Sequence, residues 1–126
     1  MKPRDTALRS KRFEASEKAR KVASIETMIF DFEQMAADLA RQIAAEEERT
    51  GVKDAAHFAY STFAKSASQR RDNLRTSADG LKAKLEGAQR ERDEALEQVS
   101  RADTPETRAE LRNRRRPDRA STAILR

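Results

Sequence analysis

Catalysis needs a nucleophile, a base and a group that orients them, and this sequence holds few of those parts. Its 126 residues include one histidine, His57, and no cysteine. Without cysteine there are no thiolate nucleophiles, no thiolate zinc sites and no disulfides. A single histidine builds no His-rich metal cluster. No glycine-rich phosphate loop and no Walker-type motif occurs. Carboxylates abound, with 22 Asp and Glu against 27 Lys and Arg. On a charged helix such groups form a solvated face. These residues point to no enzyme, no cofactor, no metal and no small-molecule substrate.

What they do offer is contact chemistry. His57-Phe58-Ala59-Tyr60-Ser61-Thr62-Phe63-Ala64-Lys65 holds three of the six aromatics. Gln69-Arg70-Arg71-Asp72-Asn73 follows closely. Aromatics and arginine are the residue types enriched where binding energy concentrates. On a helix turning ~100° per residue, Phe58 and Phe63 lie roughly 140° apart and cannot both face one neighbour. One reading packs one ring and caps the tip with the other; the second leaves an exposed anchor patch.

A second cluster is basic: Lys2, Arg4, Arg9, Lys11, Arg12 and Arg112 to Arg116. Such groups neutralise phosphates in a salt-dependent way. Asp5, Glu14 and Glu17 dilute them, and no aromatic stacking platform is interleaved. Nucleic-acid binding, or a generic scaffold role, therefore stands as an alternative.

The elements that carry these groups follow from proline and glycine. Prolines occur only at 3, 105 and 117. The Pro-free stretch is rich in Ala, Glu, Lys, Arg and Leu and reads as helix. Leu8, Ala15, Val22, Ile29, Ala36 and Ile43 recur every seven residues, interleaved with Lys11, Lys18, Ile25, Phe32 and Leu39. A second series runs Tyr60, Ala64, Ala67, Arg71, Leu74, Ala78, Leu81, Leu85, Ala88, Arg92, Ala95, Val99, Ala102. This is the heptad pattern of a coiled coil. Lys11, Lys18, Arg71 and Arg92 occupy seam positions, with stems packed and heads reaching solvent.

Gly51 reads as a helix C-cap and Asp54 as the next N-cap. Gly80 and Gly87 fall off the seam. The fold class is all-α: two long helices, about 5–50 and 55–103, form an antiparallel hairpin over 4–104 with a turn at about 51–54. Folding about position 52 pairs Ile43 with Tyr60, Ala36 with Ala67, Ile29 with Leu74 and Val22 with Leu81. Arg71 then meets Phe32, with its head near Asp31 or Glu33. Residues 105–126 form a basic tail: a short helix begun by Thr104-Pro105-Glu106, then a disordered end from about 117.

The net charge of +5 is unevenly spread. Residues 1–24 carry 8 cations and 3 anions; residues 25–50 carry 2 and 7. Residues 51–103 carry 10 and 9; residues 104–126 carry 7 and 3. A hairpin joins the two basic ends and leaves the late first helix acidic. No apolar run is long enough to span a bilayer or follow the basic start as a signal.

Arg4-Asp5-Thr6, Arg9, Lys11-Arg12-Phe13, Glu17-Lys18, Val22-Ala23 and Ile25-Glu26 resemble the opening of the FliJ family. His57-Phe58-Ala59-Tyr60, Ala64-Lys65 and Gln69-Arg70-Arg71-Asp72-Asn73-Leu74 are similar to its alphaproteobacterial members. Heptads do not dictate this second string, so it carries most of the resemblance. The family implies an antiparallel coiled coil of the flagellar type III export apparatus, cytoplasmic at the flagellar base. Its members enter the pore of a hexameric export ATPase and reach a membrane export gate, without inserting in the membrane; some handle export chaperones. Carried over, Arg4, Arg9, Lys11, Arg12 and Phe13 face the ring. Phe58, Tyr60, Phe63, Arg70, Arg71 and Asn73 face the gate. The Arg-rich segment from Thr104 departs from the family pattern.

Overall fold

The computed structural model describes residues 3–103 and 105–114. They form three helices: α1 (Pro3–Thr50), α2 (Thr62–Ala102) and α3 (Pro105–Arg114). α1 starts at a proline, which is tolerated in a first turn because that N–H has no helical partner anyway. It stops at Gly51, whose φ of 74° suits glycine. The Gly51 N–H donates to the Glu47 carbonyl at 2.9 Å, closing the last turn. α3 opens on Pro105, as its sequence suggests. Thr104, with its capping role, Arg115 and Arg116, and the tail from 117 lie outside the described residues.

The chain is all-α, with two long helices that pack on each other as a helical hairpin. It divides into two compact units. Unit 1 joins Met1–Lys21 with Ala88–Arg126, and unit 2 is Val22–Gly87. In unit 1, Leu8, Ala15, Ala88 and Ala95 are buried. In unit 2 the buried set is Val22, Ile25, Ile29, Ala36, Ile43, Ala64, Ala67 and Ala78. Every heptad position read from the sequence is buried or half-buried, including Lys11, Lys18, Arg71 and Arg92.

The connection differs from the expected turn. It spans residues 51–61 rather than 51–54, and α2 begins at Thr62, not near 55. Ser61, not Asp54, caps α2: its Oγ accepts the Ala64 N–H at 3.2 Å. Asp54 instead forms a tight side-chain turn, its Oδ1 accepting the Ala56 N–H at 2.9 Å. The longer connection slips the helix pairing. A fold about position 52 sets Glu86 opposite Lys18, whereas Lys18 Nζ donates to Glu91 Oε2 at 3.3 Å. It sets Asp93 opposite Lys11, whereas Lys11 Nζ meets Gln98 Oε1 at 3.5 Å. In unit 2, Ala36 borders a groove with Ala78 rather than Ala67, and Ile29 one with Leu85 rather than Leu74. Ile43 and Tyr60 do share one cluster, with Ala64, Ala67 and Leu39. Arg71 turns its head to Asp72 Oδ1 at 3.1 Å, not to Asp31 or Glu33.

Candidate functional site

The connection of unit 2 is a chain of small turns. The His57 N–H donates to the Asp54 carbonyl and the Tyr60 N–H to the His57 carbonyl, each at 3.0 Å. His57 Nδ1 accepts the Ala59 N–H at 3.0 Å. This fixes the imidazole, and Phe58 stacks on it with ring centroids 4.6 Å apart and planes at 24°. Phe58 is left 96% exposed. An aromatic ring held this openly on a braced backbone loses little freedom when a partner covers it. The rings do not divide into one packed and one capping: Phe63 is also 52% exposed.

Tyr60 anchors this connection. Its ring packs on the Ile43, Ala64 and Ala67 cluster, and its hydroxyl donates to Glu47 Oε2 at 2.9 Å. Burial, followed by that hydrogen bond, raises the phenol above its ordinary range. Ser61 Oγ donates to Glu46 Oε1 at 3.0 Å. Hydrogen bonds from Arg49 and then Ser61 hold the Glu46 carboxyl below its ordinary range. Two carboxylates near the end of α1 thus clamp Tyr60 and Ser61, the last residues before α2. Arg70 and Asn73 stand exposed on α2, and Arg71 is half-buried against Asp72.

The basic set lies in unit 1. Arg4, Arg9, Arg12 and Phe13 are exposed, with Phe13 at 68%. Lys11 is half-buried and spent on Gln98. Arg12 Nη2 and Arg108 Nε each stand 3.8 Å from a carboxylate oxygen of Asp103. Asp5 is a buried carboxylate in the first turn of α1. Such pairing consumes positive charge that a phosphate chain needs. Among the described residues no cluster of acidic or histidine side chains is arranged to hold a metal. No described helix is long and apolar enough to cross a membrane.

No protein-family model, curated protein or solved structure matches this chain.

The site residues thus fall into two groups on separate units, and the structure adds members to both. Met28, Phe30 and Met35 on α1 are 42%, 61% and 45% exposed, and Leu96 on α2 is 50% exposed. Heptad counting at the seam passes over them. The signal was present nonetheless: Met28 and Met35 are seven apart, one position before the seam residues Ile29 and Ala36.

Proposed function

We propose that the chain is a non-enzymatic coiled-coil component of a flagellar type III protein export apparatus. In this reading it is a cytoplasmic, stalk-like adaptor at the flagellar base, linking an export ATPase hexamer to the export gate and serving export chaperones. The observation that carries it is the exposed, braced Phe58, with Phe63 also half exposed, within the string that most resembles the FliJ family. Its chemistry is that of a hot spot: open aromatic surface held in place, with exposed Arg70 two turns along α2 from Phe63. Arg9, Arg12 and Phe13 offer a second contact surface on unit 1.

The test is a pull-down with the cognate export ATPase and with the soluble gate domain at physiological salt. Phe58→Ala should lose the gate domain and keep the ATPase. Arg9→Glu with Phe13→Ala should do the reverse. Absence of both partners from the wild-type pull-down would sink the reading. The ion pairs of Arg12 and Lys18 support protein contact over nucleic-acid binding, which predicts a mobility shift at low salt that fades steeply as salt rises.

A further inference from the structure

Unit 2 has two lateral edges, one on each side of its seam, and they differ. On one edge the residues just after the seam positions on α1 are Glu26 and Glu33, and on α2 they are Arg75 and Lys82. Here Lys82 Nζ meets Glu33 Oε1 at 3.2 Å. This is the opposite-charge flank expected of a two-helix coiled coil. The other edge carries Met28 and Met35 on α1 and Phe63, Arg70, Ser77 and Lys84 on α2. No ion pair among the described residues closes it. Both methionines and Phe63 are more than two-fifths exposed there, beside half-buried Phe32 and Leu39. A helix with apolar residues at two seam positions and one flank is patterned for a wider bundle than a pair.

We propose that a second copy of this chain covers this edge, making an antiparallel four-helix bundle from two hairpins. The proposal does not depend on the export reading. The edge complements itself in shape. α1 presents large residues, Met28 and Met35; α2 presents Ser77 and Gly80, and a Cβ built on Gly80 meets no atom within 4 Å. The Glu33–Lys82 pair sets Met35 level with Gly80. With the two-fold axis along the helices, each methionine of one copy faces the small residues of the other's α2.

The edge also complements itself in charge. Asp31 and Asp38 border the methionines on α1, and Arg70 and Lys84 lie among the flank residues of α2. The same Glu33–Lys82 pair sets Asp31 level with Lys84. Nearer the connection, Ile43 clusters with Ala64 and Ala67, which puts Asp38 within about one turn of Arg70. Asp38 also pairs with Arg41 of its own helix. Residues 25–50 carry 2 cations and 7 anions, whereas residues 51–87 carry 7 and 4. Placing α1 beside the α2 of a second copy therefore sets opposite charges together. An isologous contact requires this reciprocity.

The experiment is sedimentation equilibrium of the full chain and of two charge-reversed variants, with helicity followed by circular dichroism. Wild type should associate as a dimer. Asp31→Lys with Asp38→Lys, and separately Arg70→Glu with Lys84→Glu, should each weaken dimerisation by roughly tenfold or more. An equal mixture of the two variants should restore it. Met35→Glu, at an exposed position, should also dissociate the dimer and serves if a charge variant fails to fold. A wild-type monomer at every soluble concentration would overturn the proposal, leaving a foreign helix as the occupant. So would a dimer indifferent to the charge and Met35 changes, or variants that do not recombine.

Discussion

At the scale of single residues, Tyr60 joins packing to electrostatics. Its ring is part of the Ile43, Ala64 and Ala67 cluster, and its hydroxyl serves Glu47. Burial and the nearby carboxylate both disfavour the phenolate. The chain holds one tyrosine and no tryptophan, so an ultraviolet titration reports this residue alone. Its midpoint should lie above the ordinary 10.0, and Glu47→Gln should bring it down. Because the folded-state value is raised, the contact stabilises fully below the ordinary value and is lost as pH rises through the folded one. A midpoint at 10.0 or below would show that Tyr60 is not held as described. Ser61 makes a second such prediction. It caps α2 and donates to Glu46, so Ser61→Ala should cost about 1 kcal/mol in urea unfolding. Ser61→Asp, which keeps the cap but faces Glu46, should not restore full stability.

At the scale of elements, the helices were legible from the heptads, and the connection was not. Burial periodicity survives in the sequence because every seventh position must exclude water. That is why Lys11, Lys18, Arg71 and Arg92 could be placed on the seam despite their charge. The start of α2 turned on hydrogen bonds between near neighbours. Asp54 and Ser61 are both good caps by type, and only the fold shows that Asp54 closes a turn while Ser61 opens the helix. The seven residues lost from the expected start of α2 then moved each partner along α1. The exposure of Phe58 follows from the same longer connection, since a ring on a helix face and a ring on a turn meet different neighbours. Two glycines test this account. Gly51 sits at φ 74°, where a side chain is strained. Gly80 is helical with open space around it. Thermal unfolding should show Gly51→Ala destabilised by about 1 kcal/mol and Gly80→Ala stabilised by about 0.5–1 kcal/mol. Equal effects at both sites would refute the assignment of Gly51 as the cap.

At the scale of the whole molecule, the two units are held by different chemistry. Residues 1–21 carry 8 cations and 3 anions and residues 88–126 carry 10 and 8, so unit 1 is +7; residues 22–87 carry 9 and 11, so unit 2 is −2. Branched aliphatics Val22, Ile25, Ile29 and Ile43 fill the seam of unit 2. Unit 1 has Leu8 and alanines there, with lysines at two seam positions answered by Gln98 and Glu91. Lys18 and then Lys21 hold the Glu91 carboxyl below its ordinary value of 4.5. A lowered folded-state value means that this contact stabilises above the ordinary value and is lost as pH falls through the lowered one. Protonation of Glu91 leaves Lys18 half-buried without its counter-charge. Unit 2 also holds a lowered carboxyl, Glu46, and loses its contacts with Arg49 and Ser61 on acidification, but it keeps its aliphatic seam. Acidification should therefore speed amide exchange in residues 88–102 before residues 64–85. Glu91→Gln should reproduce part of that loosening at neutral pH. The exposure of Glu91 limits the effect to a few-fold change in exchange rate. Simultaneous loosening of both segments, or earlier loosening of 64–85, would mean that the polar contacts of unit 1 do not set its stability.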